Sequence, residues 1–142
     1  MTHKIEDELT YAIIGLAMKV HCKLGNGFQE HIYHNALEVE LNKAGLKFAS
    51  EQDVPVFYDN VHVGTKRVDF LFHENLILEI KAVAKLEDKH LAQSLNYLVA
   101  YKLDKGLLIN FGARSLEVKR LRHPKNKSET TIPLKDSDKM DF

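Results

Sequence analysis

Through the N-terminal third of the chain, apolar residues recur every three to four positions. Leu9, Ile13, Leu16 and Val20, with Ala12 and Ala17 beside them, mark one face of a helix over about Glu6–Leu24. Gly25-Asn26-Gly27 ends it, glycine being the preferred stop at a helix C-terminus. A second helix is expected from about Phe28 to Ala44, stopped by Gly45, with Tyr33, Leu37, Leu41 and Ala44 on its inward stripe. Glu30 lies three residues before Tyr33 and falls on that stripe. A carboxylate facing inward needs a partner, although the helix dipole alone favours one in a first turn.

The period then changes to two. Val54-Pro55-Val56-Phe57-Tyr58 reads as an edge strand, because Pro55 cannot donate to a ladder. After a turn at Asp59-Asn60, Val68, Phe70 and Phe72 alternate with Asp69 and Leu71. Leu76–Ile80 is an apolar run broken only by Glu79, as in a central strand covered on both faces. Joined by a three-residue turn at His73-Glu74-Asn75, these strands set Phe72 opposite Leu76, Asp69 opposite Glu79 and Arg67 opposite Lys81. A two-residue turn would set Asp69 opposite Ile80. Opposed residues share a face, with Cβ atoms about 5 Å apart. Lys81 joins Glu79 there, because strand side chains alternate. Two adjacent carboxylates repel, and burial makes it worse. The compensator is either a divalent cation together with Lys81, or an ion-pair ladder with Arg67 and Lys81 on a solvated face. The apolar flanks of Glu79 favour the cation.

A third helix, about Glu87–Leu103, carries Leu91, Leu95 and Leu98 as its main stripe, with Gln93, Tyr97 and Tyr101 on another face. Gly106 stops it. Leu107–Phe111 reads as a buried strand parallel to 76–81, reached by a right-handed crossover, and Leu116–Leu121 as a last strand near an edge. From Arg122 the apolar pattern fades into a charged, solvated tail.

The 142 residues suit one domain, and 44% hydrophobic with 28% charged residues is ordinary for a soluble globular protein. No apolar run is long enough for a bilayer, so no membrane partner is expected. The charged opening MTHKIEDELT lacks an apolar signal core, which gives a cytoplasmic location as the expectation. Lone Cys22 excludes an internal disulfide and a thiolate cage, and its place in the helical pattern predicts a packed thiol. A formal net charge of +0 leaves nucleic-acid binding to a local patch, such as Lys119–Lys127. His31 and His34 share a helix face but lack a third ligand, and most of the histidines are expected in solvent. Gly25-Asn26-Gly27 lacks the spacing of a nucleotide loop.

Three groups converge: Glu30, the Asp69 and Glu79-Ile80-Lys81 hairpin, and Gln93 with Tyr97. An aspartate, a hairpin and Glu-x-Lys together resemble the core of the PD-(D/E)XK nuclease superfamily. Gln93-Ser94-Leu95-Asn96-Tyr97 resembles the Q-x-x-x-Y element of its RecB-like exonuclease branch. Gly27-Phe28-Gln29-Glu30-His31-Ile32-Tyr33 is similar to the motif of the GxxExxY family within that superfamily. The likeness runs from about Leu9 to Leu121; Val68 stands where the motif has proline.

The resemblance implies an α/β, restriction-endonuclease-like domain over residues 1–123, with a central mixed β-sheet flanked by helices, and a charged tail over 124–142. It implies a Mg²⁺- or Mn²⁺-dependent nuclease acting on nucleic acid, DNA ahead of RNA. In the implied roles Glu30, Asp69, Glu79 and the Ile80 carbonyl hold the metal, and Lys81 holds the attacking water or the scissile phosphate. Gln93 belongs to the catalytic set, and Tyr97 and Tyr33 position substrate. Oxygen ligands without thiolate suit Mg²⁺ or Mn²⁺ over zinc. The competing expectation is a module that kept the fold and binds nucleic acid or a protein with little chemistry. Self-association or a protein partner would help so small a nuclease grip its substrate.

Overall fold

Helical and strand periods alternate along the chain much as the side-chain pattern predicts. The computed structural model describes residues 2–73 and 76–124. Two helices, α1 (Thr2–Leu24) and α2 (Glu30–Lys43), precede three strands, β1 (Phe48–Tyr58), β2 (Val61–Phe72) and β3 (Leu76–Lys81). Helix α3 (Asp88–Tyr101) then leads to β4 (Lys105–Asn110) and β5 (Glu117–Arg122). The five strands form one sheet in the order β1-β2-β3-β4-β5. Only β3 and β4 run parallel, the pair that α3 connects. Strands β1 and β5 lie at the edges. Glu74 and Asn75 of the expected turn, and the charged tail beyond Pro124, lie outside the described residues.

Each face of the sheet buries a different helical layer. Ile13, Ala17 and Val20 of α1 and Tyr33, Leu37 and Leu41 of α2 pack on Phe70, Phe72, Leu78, Ile80 and Ile109. Leu98 of α3 packs on Val68 and Ile77, with Leu95, Tyr97 and Tyr101 around them. At roughly 25 cal/mol per Å² of apolar surface removed from water, these two clusters supply the main driving force for folding. Helix α3 opens with a reciprocal cap, in which the Glu87 N–H donates to His90 Nδ1 at 2.9 Å. It closes on Lys102 in the left-handed conformation, so Gly106 is not its stop. Gly106 lies inside β4, where an added Cβ would press on Ile77 and Leu98 at 3.1 and 3.3 Å.

Other departures have local causes. Strand β1 begins at Phe48, ahead of Val54, because Phe48 pairs with Phe72 and packs on Phe70 and Phe72, while the polar residues 50–53 that follow hide the alternation. Ala44 is the exposed C-cap of α2 instead of a core residue. Cys22 is exposed, on the outer face of α1. The buried face of α3 is Ala92, Ser94 and Leu98, with Leu91 and Leu95 only half-buried beside it.

The segment after β3 is fastened by a fully buried side chain. Asn110 Oδ1 accepts from Val83 N–H at 2.9 Å and Gly112 N–H at 3.0 Å. Its Nδ2 donates to Val83 O at 2.9 Å and Glu117 at 2.8 Å. Glu117 also accepts from the Leu86 N–H at 2.9 Å. The approach is so close that a Cβ on Gly112 would lie 2.5 Å from Val83 N. This clamp, with Phe111 N–H donating to Lys81 O at 2.9 Å, fixes where β3 ends and where Lys81 sits.

Candidate active site

Strands β2 and β3 pair as Phe72↔Leu76, Leu71↔Ile77 and Phe70↔Leu78, the register expected of a three-residue turn. One step further, side chains take over from the ladder. The Asp69 N–H donates to Glu79 Oε2 at 3.1 Å, and the Ile80 N–H donates to Asp69 Oδ2 at 2.8 Å. The two carboxylates thus sit in a fork between neighbouring strands. Strict alternation would put Val68 and Phe70 on one face, but Val68 packs under α3 while Phe70 packs under α1 and α2. The strand changes phase at Asp69. On the β1 side the pairing steps from Ser50↔Phe70 to Gln52↔Val68 past Glu51, which has φ 51°. Arg67 bonds Asp53 of β1 at 2.9 Å, so the alternative ladder through Arg67 and Lys81 does not form.

The carboxylates strain against one another. Glu79 is only 5% exposed, and burial followed by the charge of Asp69 pushes its pKa up to about 8. The Asp69 N–H, Lys66 and Lys81 pull the other way. Glu30, the first residue of α2, is also raised, first by burial and then by Asp69, against Lys81, Lys66 and His34. Asp69 therefore feels carboxylates from two elements distant in the chain. Glu30, Asp69, His34 and Glu51 line one cleft. Among the described residues no three His, Cys, Asp or Glu side chains are gathered around a common point for a metal ion. The donors themselves are hard oxygens at mutually repelling carboxylates, the chemistry a divalent cation satisfies.

Two cations face this site. Lys81 closes β3 on the face of Glu79. Lys66 of β2 lies 5.1 Å over the ring of Tyr97 in α3, and its carbonyl accepts from Tyr101 Oη at 3.1 Å. Gln93 is exposed one turn before Tyr97. Ile80 is buried, with its N–H committed to Asp69.

Tyr33 is corrected to a different place. It is fully buried, stacks on Phe111 at 4.9 Å, donates to Gly25 O and accepts from Phe28 N–H at 3.0 Å. With no free hydroxyl it cannot position substrate directly; it ties down the loop that launches α2 and Glu30. His34, expected without a role, is 5% exposed and holds Asp69 Oδ1 at 3.2 Å through Nδ1. Its Nε2 lies 3.1 Å from Ser50 Oγ, which donates to Glu38 at 3.3 Å, and its ring stacks on Phe70 at 4.3 Å. Burial alone would lower the His34 pKa, but the Asp69 bond and the charges of Asp69, Glu51 and Glu38 leave it raised. Its sequence signal is position: four residues after Glu30, one turn along the same face.

The solved structure of SSO0001 matches this fold with a TM-score of 0.57 at 20% identity, over 67% of this chain and 50% of that one. The chain therefore spans half the length of that protein. No curated protein matches. Among the described residues no helix is long and apolar enough to cross a membrane. A profile of the PD-(D/E)XK nuclease superfamily matches residues 7–121, so the chain belongs to that superfamily.

Proposed function

We propose that the protein is a divalent-metal-dependent nuclease that hydrolyses phosphodiester bonds in DNA, of the GxxExxY type and the RecB-like branch. The observation that carries this reading is the fork, where Asp69 and Glu79 are each bonded to the partner strand and pressed together beside Glu30, Lys81 and Lys66. Glu30, Asp69, Glu79 and the Ile80 carbonyl would hold Mg²⁺ or Mn²⁺, which supplies a water of lowered pKa and neutralises charge on the phosphate. Lys81, a compact cation, stabilises the charge developing on the phosphate oxygens. His34 holds the Asp69 carboxylate in orientation. Gln93 positions the strand to be cut, and Tyr97, a helical turn further along α3, positions the site by holding Lys66.

The test is cleavage of labelled single- and double-stranded DNA in Mg²⁺ or Mn²⁺. Asp69→Asn and Lys81→Gln are each expected to lower the rate by about 10²–10³-fold, the loss typical of one preorganised electrostatic partner. Equal cleavage by wild type and both variants would overturn the reading. A second reading, a binding module with little chemistry, is favoured by the ungathered carboxylates and the raised pKa of Glu79. Calorimetry that finds no heat with millimolar Mn²⁺, alongside measurable DNA binding, would establish it.

A further inference from the structure

We propose that Lys66 is a second phosphate-contacting lysine of this site, held in place by Tyr97. The inference deepens the nuclease reading and rests on it for the identity of the ligand. Lys66 lies on β2 three residues before Asp69, whereas Lys81 ends β3 two residues after Glu79, and the charges of both act on Glu79 from different strands. The Lys66 ammonium lies 5.1 Å over the Tyr97 ring, and Tyr101 fixes the Lys66 carbonyl at 3.1 Å. It feels the charges of Glu79 and Asp69. Yet among the described residues it forms no salt bridge with either, unlike Lys19 with Glu40 or Arg67 with Asp53.

A lysine whose task was to neutralise Asp69 or Glu79 would touch them. Held by the ring and hydroxyl of Tyr97, which supply no carboxylate, the ammonium keeps its remaining N–H donors for an incoming anion. The half-buried setting strengthens any charge-assisted bond it makes. Tyr97 then acts through Lys66 and is a positioning residue.

The experiment measures binding of a fluorescein-labelled DNA duplex by anisotropy across a KCl series, with Mn²⁺ present. It is done in a Glu79→Gln background so that the duplex stays intact. Each phosphate contact contributes about 0.9 to the slope of log affinity against log salt. Lys66→Gln should make that slope shallower by about 0.9, and Lys66→Arg should restore it. Tyr97→Leu should weaken binding in the Lys66 protein and add nothing once Lys66 is Gln, the non-additivity of residues acting as one unit. Should Lys66→Gln melt early, Lys66→Met, which keeps the apolar stem against Tyr97 and removes the charge, carries the same comparison. An unchanged slope in Lys66→Gln, or no wild-type binding at any salt, overturns the inference. Cleavage by wild type with an unchanged slope sinks it alone; a Lys66-dependent slope without cleavage sinks the nuclease reading and leaves it standing.

Discussion

Glu79 carries the clearest consequence at the scale of single residues. A carboxyl whose folded pKa is about 8, against an ordinary value of 4.5, keeps a proton that the unfolded chain releases. Stability is therefore greatest below about pH 4.5 on this account and falls as pH rises toward 8. The full shift corresponds to a loss of up to about 5 kcal/mol. His34 and Glu30 are also raised and tilt the curve in the same direction, so the isolating comparison is Glu79→Gln. Urea unfolding at pH 5.5 and pH 8.5 should show a clear drop for the metal-free wild type and a smaller one for the variant; equal drops would refute the assignment. His34→Ala should lower cleavage about 10–100-fold, the usual loss on removing a group that orients a metal-binding carboxylate. The fall should appear in kcat, with KM little changed, and His34→Gln should recover part of it. The closeness of Asp69 to Glu79 was legible because the hairpin that joins them is local, whereas Glu30 entered only through the resemblance. His34 and Lys66 could not be named from sequence, since each acquires its role across α2, β1, β2 and α3. The His31/His34 spacing, lacking a third ligand, gave no sign that His34 would bond Asp69.

Between elements, the hairpin register was legible because an apolar strand reads its own face, and a three-residue turn leaves one pairing. The change of phase at Asp69 was not legible, since a period of two presumes an unbroken ladder and the carboxylates here replace it. Nor was the Asn110 clamp, which joins residues far apart in the chain through one side chain. Asn110→Ala would leave the Val83 and Gly112 N–H groups without their acceptor in a buried site. The expected loss is roughly 2–4 kcal/mol of stability, from the unmet donors and the lost packing. Because the clamp places the end of β3, the same variant should lower activity under conditions where it is still folded. A denaturant midpoint unchanged from wild type would show that the loop holds itself.

For the molecule as a whole, charge decides how it meets a polyanion. The formal net charge is +0, so no long-range field draws DNA in, and binding must be local. At the site itself, uncompensated carboxylates repel phosphate, and among the described residues Lys66, Lys81 and a protonated His34 oppose them. Divalent cations ordinarily weaken protein–DNA binding by competing for phosphates. Here the sign should invert. Low-millimolar Mn²⁺, added at constant ionic strength, should tighten binding of a non-hydrolysable phosphorothioate duplex, because it cancels the repulsion at the fork before the backbone arrives. Asp69→Asn removes part of that repulsion and one ligand, so its metal-free binding should be tighter than wild type and its response to Mn²⁺ flatter. The two effects separate this account from one in which metal merely organises the DNA, since a DNA-borne effect would be identical in both proteins. Anisotropy titrations with and without Mn²⁺ decide it, and Mn²⁺ that weakens wild-type binding would mean that the carboxylates do not face the substrate.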